Sequence, residues 1–430
     1  MFKSRMNWRA GIDVRMLSAL LAFVALCFLA IRVVIIYHLF FRNPVRSPDI
    51  LSDFNLFYYA FNVVLHSPNQ ASLLYDNARL AAFLAAMGSD ASGFGVFYCY
   101  PPQFALIFSP LGLLSPLTAK LVWVSASFVL CAIGAVLLAK MSYRGADRRA
   151  IIMLVAMTLL SYPVLHDAYL AQSNELLFFL LATTFFLIER DRRYAAGVFL
   201  GLAIVFKVTP LAILGLLVLR FEWRTAMSTI VCAGVLTLVT AFKLGFNVIR
   251  HFFLFDIFRA QEQIATVGGL PGNGALRAAL QTAVQSVGMP ASESVLHWSA
   301  NIFALMVCAL SSYLIFRRSR DTRIDYALAS MTILVASPVI EPIHMVIALI
   351  PLVILIGTAM ERPAVRLSAI APGAEIVVTA IAVLLLYFLE RSATYFVAAM
   401  LTYALCVARY FPAAFSRSRD ATALPDARAA

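Results

Sequence analysis

Two carboxylates, Asp49 and Asp53, stand four residues apart just after the first long apolar run. In a helix that spacing puts both on one face. Asp53 directly precedes a helical apolar pattern, and two compatible roles fit it. It can cap the helix by accepting a backbone N–H, and a carboxylate at a membrane surface can act as general base towards a hydroxyl. Lys207 lies in the middle of an apolar segment, at the break Lys207-Val-Thr-Pro210. Charge at that depth costs about 3 kcal/mol or more, which marks a functional position unless the side chain snorkels to an interface. A cation there suits a phosphate at the bilayer surface. Glu341 and His344 occupy the proline-bracketed break Ser337-Pro338-Val-Ile-Glu341-Pro342-Ile-His344, either a polar span boundary or a cavity wall. Gln172, Asn174 and Glu175 follow His166 and Asp167 and open an apolar run; they are helix caps or amide partners for sugar hydroxyls. Arg32, inside the first run, reads best as a snorkelling residue.

Some chemistries are disfavoured. There is no GxGxxG strand–turn–helix unit and no GKS/T loop, so a soluble nucleotide pocket is not expected. The six cysteines are scattered, five of them inside apolar runs, which predicts core filling rather than a disulfide framework or a metal knuckle. The net charge of +12 does not indicate nucleic acid, because Arg and Lys are concentrated in short connectors between apolar runs.

The elements that must position these residues are membrane segments. Of 430 residues, 62% are hydrophobic and only 13% charged, about half the charge of a soluble domain. Apolar runs of roughly twenty residues recur, the length that crosses a bilayer. The first, at about 16–41, is too long for a signal-peptide core and is expected to remain as an anchor. Basic clusters at the N-terminus, 140–149, 190–193, 220–224, 317–323, 362–366 and the tail are assigned to the cytoplasm. Even numbers of crossings between them come from runs at about 150–164 and 174–188, 224–243 and 294–316, 325–338 and 345–359, and 372–389 and 394–411. Pro110 and Pro116 imply a short kinked piece before a span at 117–139. The break at Lys207 implies two half-helices meeting at a tip.

The expected architecture is therefore an all-α polytopic membrane protein of about ten to thirteen segments. One membrane domain covers 1–411, and a disordered tail covers 412–430. The domain includes two large outward loops, 42–100 and 244–293, and both termini are expected to be cytoplasmic. In the first loop, Phe54, Phe57, Tyr58, Phe61 and Leu65 at helical spacing predict an amphipathic helix in the headgroup layer. A second helix is predicted at about 77–87. The stretch Phe97-Tyr98-Cys-Tyr100-Pro101-Pro102 suits an aromatic interfacial belt. This topology gathers Asp49, Asp53, Gln172, Asn174, Glu341, His344 and Lys207 in the outward half. Nucleotide sugars are normally absent outside the cytoplasm, so a transferase there would take its sugar from a lipid carrier.

Several motifs, in order, resemble glycosyltransferase family 87. They are Asp53-Phe-Asn-Leu-Phe-Tyr58-Tyr59-Ala60, Leu74-Tyr75-Asp76, Tyr98-Cys-Tyr100-Pro101-Pro102 with Phe108-Ser-Pro110, Ala171-Gln172-Ser-Asn174-Glu175, and Ala196-Gly197 leading to Phe206-Lys207-Val-Thr-Pro210. Ser337-Pro338 and His344 continue the resemblance, while Ala171 and Ser173 depart mildly from it and the region after Leu244 aligns poorly. It implies a fold of the GT-C superfamily and inverting transfer of a sugar, with mannose the first expectation, from a polyprenyl-phosphate donor to a lipid or glycan acceptor, with no cofactor and no metal. Asp53 matches the family's catalytic Asp, and Lys207 and His344 match positions facing the donor phosphate. Asp49, Tyr58, Tyr59, Tyr100, Gln172, Asn174 and Glu341 are the expected sugar or acceptor contacts. Two other classes remain open on the residues alone: a flippase or transporter of lipid-linked sugar, and a non-catalytic subunit of an envelope-assembly complex.

Overall fold

The computed structural model describes residues 53–88, 97–259, 273–288, 292–361, 372–388 and 392–411, which are helical with no strand among them. Asp49, Arg32, the first apolar run, the glycine-rich stretch of the second loop and the 412–430 tail lie outside the described residues.

The helices in order are α1 Asp53–His66, α2 Asn77–Ala86, α3 Pro102–Phe108, α4 Pro116–Ser142, α5 Arg148–Leu159, α6 Tyr162–Leu170, α7 Asn174–Glu189, α8 Arg193–Phe206, α9 Leu211–Leu219, α10 Trp223–Leu244, α11 Phe246–His251, α12 Leu276–Ser286, α13 Glu293–Arg317, α14 Thr322–Val335, α15 Leu349–Glu361, α16 Pro372–Phe388 and α17 Ser392–Ala408. Their starts follow local chemistry. Proline occupies the first turn of α3, α4 and α6, where its missing N–H has no helical partner. The side chains of Asp76, Ser115, Asp147 and Asp321 cap α2, α4, α5 and α14.

Four helical stretches are long and apolar enough to cross a bilayer: α4, α10, α13 and Pro342–Glu361. The pair α5 and α6, bent by 45°, makes a fifth. The described residues thus form an all-α membrane bundle in which four or five helical stretches have the length and apolarity of a full crossing, accompanied by shorter apolar helices that include α8. Helices end at both polar breaks read from the sequence, α8 at Phe206 beside Lys207 and α14 at Val335 ahead of 337–344. The span containing α15 is 78% buried and central, while that of α13 is 22% buried and turns Ile302, Leu305, Met306 and Leu310 outward.

Close packing of α8 on α10 depends on Gly197 and Gly201. A Cβ on Gly197 would meet the Ser228 Cβ at 2.5 Å and the Thr225 carbonyl at 2.6 Å, and one on Gly201 would meet the Cys232 Cβ at 2.7 Å. This is the small-residue spacing that lets apolar helices approach where no hydrophobic driving force separates helix from lipid. Ser228 donates to the Tyr194 carbonyl at 2.7 Å across the same seam.

The two ends of the bundle differ sharply in chemistry. At one end the basic connectors converge. Arg144 pairs with Glu189 at 2.5 Å, Arg193 with Glu222, Arg220 with the fully buried Asp325, and Arg409 with Glu375. Arg323, also buried, binds Asp321, Glu361 at 2.8 Å and the Ser142 carbonyl at 2.9 Å. Among the described residues, the connectors around 144, 190–193, 220–222 and 318–325 therefore share one end of the fold. From it, α8 runs to Lys207 and α9 runs back, and α7 runs in from Gln172 and Asn174.

The predicted α1 and α2 are present, with one correction. The apolar residues of α1 do not face headgroups. Phe54, Phe57 and Phe61 are buried against protein, with Phe57 packing on Tyr100, Phe104 and Trp123. Tyr98 and Tyr100 are buried too, so the expected interfacial belt is an internal aromatic layer. Cys131 and Cys406 fill the core as expected, whereas Cys99 and Cys308 are exposed.

Candidate active site

The site is organised by the link between α6 and α7. Ala171 closes α6 in the left-handed conformation, with φ 52° and ψ 45°, and the Gln172 N–H returns to the Asp167 carbonyl at 2.9 Å. From α4, the indole N–H of Trp123 donates to the carbonyls of Ala171 and Gln172 at 3.0 and 3.2 Å. The link is thereby fixed from both sides.

That fixation orients two amides. The Gln172 Oε1 accepts from the Tyr100 hydroxyl at 2.8 Å and from the Ser173 N–H at 3.1 Å. With its acceptor end so engaged, Gln172 turns its Nε2 donor to the Asp53 Oδ2 at 2.6 Å. Two residues on, the Asn174 Oδ1 accepts from the Lys207 Nζ at 2.8 Å. Lys207 ends α8 in extended conformation, φ −150° and ψ 129°, which carries its side chain off the helix and towards this link. Its ammonium lies 5.8 Å from the centre of the Tyr100 ring, within cation–π range.

Asp53 is half-buried at the start of α1. Burial pushes its carboxyl above the ordinary aspartate value, and the Gln172 hydrogen bond and the Lys207 charge pull it back. Glu341, just ahead of a membrane span, is raised first by burial and then by the nearby Asp53, against the same opposing Lys207 charge. Asp53, Glu341 and Lys207 therefore act on one another electrostatically.

His344 and Glu341 form a reciprocal capping box at the turn Pro342–Val346. The His344 Nδ1 accepts from the Glu341 N–H at 3.2 Å. A neutral ring held this way carries its proton on Nε2 and presents it as a donor. The 338–340 segment preceding the box is pinned by Asn273. Its Oδ1 accepts from the Ile340 N–H at 2.9 Å and its Nδ2 donates to the Pro338 carbonyl at 3.3 Å.

The structure thus unites Asp53, Tyr100, Gln172, Asn174, Lys207, Glu341 and His344. It gives several of them other partners than expected. Gln172, Asn174 and Tyr100 hold protein groups rather than standing ready for sugar hydroxyls. Tyr58 and Tyr59 do not join the cluster: both are buried, and their hydroxyls donate to the carbonyls of Leu114 and Leu73 at 2.8 and 2.6 Å. The residue pattern did not point to Trp123, to Asn273 or to the role of Asp167. The one available signal for Trp123 was an N–H donor in an otherwise apolar span. Among the described residues, no three His, Cys, Asp or Glu side chains converge to hold a metal ion.

A helical membrane bundle with an anion–cation constellation at one end is a frame suited to transfer chemistry at a bilayer surface. The model of glycosyltransferase family 87 matches residues 98–338, more than half of the chain, and the chain belongs to that family. Membership makes it a membrane glycosyltransferase. The matched stretch includes Tyr100, Gln172, Asn174 and Lys207, while Asp53, Glu341 and His344 lie outside it. No curated protein and no solved structure matches the chain.

Proposed function

We propose that this enzyme transfers a sugar, mannose in the first instance, from a polyprenyl-phosphate donor to a hydroxyl of a lipid or glycan acceptor, with inversion, on the extracytoplasmic face. The sidedness rests on the opposite end of the bundle, where basic connectors gather as cytoplasmic loops do. The donor class rests on a cation at a membrane-level break, on residues that suit a phosphate, and on the absence of nucleotide sugars from that compartment.

In the reaction the acceptor oxygen attacks the anomeric carbon as the bond from that carbon to the phosphate oxygen breaks. The acceptor proton passes to the Asp53 carboxylate, and polyprenyl phosphate leaves with the bonding electron pair. Asp53 has a raised proton affinity for this role yet remains held for ionisation by the Gln172 donor. Lys207, with the Nε2–H of His344, stabilises charge developing on the departing phosphate. Glu341, near both charged groups, is placed towards the acceptor.

The observation that carries the reading is that a single link, 171–174, holds the base through Gln172 and the cation through Asn174. The test uses purified protein in nanodiscs, with a short-chain polyprenyl-phosphate mannose labelled in the sugar and lipid extract as acceptor. Asp53→Asn is expected to bind the donor normally and transfer almost nothing. Near-normal transfer would remove Asp53 from catalysis.

A further inference from the structure

Asp167 is almost wholly buried in α6, and no step above uses it. Its Oδ1 accepts from the Asn174 Nδ2 at 2.7 Å and its Oδ2 from the Glu175 N–H at 3.1 Å. The second bond satisfies one of the free N–H groups at the start of α7, where Ser173 in the cap position makes no side-chain cap. The first bond has a different consequence. An asparagine amide has an acceptor end and a donor end, and nothing in Asn174 itself decides which end meets Lys207. Both Asp167 oxygens accept here, and the Lys207 ammonium can only donate, so the two neighbours select the same orientation of the amide. Asp167 therefore claims the Nδ2 end and leaves Oδ1 facing the Lys207 ammonium. With the amide reversed, N–H groups would confront the ammonium and displace it.

Resting on the function proposed above, we infer that Asp167 is a positioning residue that fixes Lys207 towards the donor phosphate by setting the orientation of the Asn174 amide. It touches neither substrate nor reacting atoms. In its ionised form it also adds a negative charge one residue behind Lys207 without occupying any of the ammonium's N–H groups.

The chain Asp167–Asn174–Lys207 has a property that a simple helix cap lacks, which is that it can be inverted. In Asp167→Asn the Glu175 N–H still finds an acceptor, but the new Nδ2 faces Asn174 and turns that amide's donors towards Lys207. In the double variant Asp167→Asn with Asn174→Asp, the amide introduced at position 167 caps α7 through its Oδ1. Its Nδ2 donates to the carboxylate introduced at position 174, which in turn accepts from Lys207. Every bond is restored with the charge moved by one residue.

The experiment measures steady-state transfer from polyprenyl-phosphate mannose in nanodiscs for wild type, Asp167→Asn, the double swap and Lys207→Met, with thermal melting of each. Asp167→Asn is expected to lower kcat by about 10- to 100-fold, the range for disrupting a hydrogen bond to a charged group, and to raise the donor KM less. The double swap should recover most of that loss. Normal turnover in Asp167→Asn overturns the inference. A double swap that is folded but no better than Asp167→Asn also overturns it, as does failure of both variants to fold, which would make Asp167 a structural cap. If Lys207→Met itself transfers normally, the proposed role of Lys207 fails, and the inference fails with it. If Lys207→Met is inactive while Asp167→Asn is normal, only the inference fails.

Discussion

Gln172 and Asn174, two residues apart on one short link, hold groups of opposite charge that come from distant parts of the chain. Gln172 donates to Asp53, 119 residues earlier, and Asn174 accepts from Lys207, 33 residues later. The link thus holds Asp53 and Lys207 at a set separation through its two amides. Changes on the link should alter both halves of the chemistry.

The Gln172 donor favours the charged form of Asp53, whereas burial disfavours it. In the proposed mechanism Asp53 works as a carboxylate, so activity should fall as pH drops through its pKa. Since that pKa lies above the ordinary 3.8, the acidic limb of kcat/KM should lie above 3.8 as well. Gln172→Leu removes the donor, raises the pKa further and should move the limb to higher pH. An unchanged limb, with activity merely scaled down, would show that Gln172 does not tune Asp53.

Tyr100 serves both halves, through its hydroxyl to Gln172 and its ring near Lys207. Tyr100→Phe should keep the ring contact and lose about 3- to 10-fold in kcat, the net value of one hydrogen bond. Tyr100→Leu should lose distinctly more, because the cation–π contact goes too. Equal losses in the two variants would argue that the ring does nothing for Lys207.

Asn273 should matter for stability and activity together, because it pins the segment leading to Glu341 and His344. Asn273→Ala is expected to cost about 1–3 kcal/mol of stability and to slow transfer. Asn273→Asp keeps the acceptor for the Ile340 and Ala275 N–H groups and should retain more of both. Thermal melts and turnover of the two variants, measured side by side, decide this.

Gly197→Val places carbon where the Ser228 Cβ and the Thr225 carbonyl already sit. It should abolish monodisperse, folded protein on size-exclusion chromatography. Gly215→Ala meets open space in α9 and should behave as wild type, because alanine is the better helix former. A stable Gly197→Val would mean that α8 and α10 do not pack this closely.

Much of this arrangement is legible in the residue pattern. Helical spacing after Asp53, the Pro210 break beside Lys207 and the spacing of basic connectors each follow from local rules, and the helices and their grouped ends agree with them. The partners of Gln172 and Asn174 were not legible. An amide at a helix start has the same sequence signature whether it faces a sugar, a carboxylate or an ammonium, and only the fold brings Asp53 and Lys207 to it. The burial of Tyr58, Tyr59 and Tyr100 was hidden for a similar reason, since a tyrosine-rich stretch suits a headgroup belt and a protein interior equally well.

In the proposed mechanism Asp53 and Lys207 share one end of the bundle, and that end faces away from the cytoplasm. In a cysteine-free background, single cysteines at Ser72, Thr209 and Ala146, all exposed positions, report on the Asp53 loop, the Lys207 break and the ionic end. Labelling intact cells with a membrane-impermeant maleimide should modify the first two and spare the third until the membrane is permeabilised. Reaction of positions 72 and 209 from opposite faces would leave base and cation without a common site.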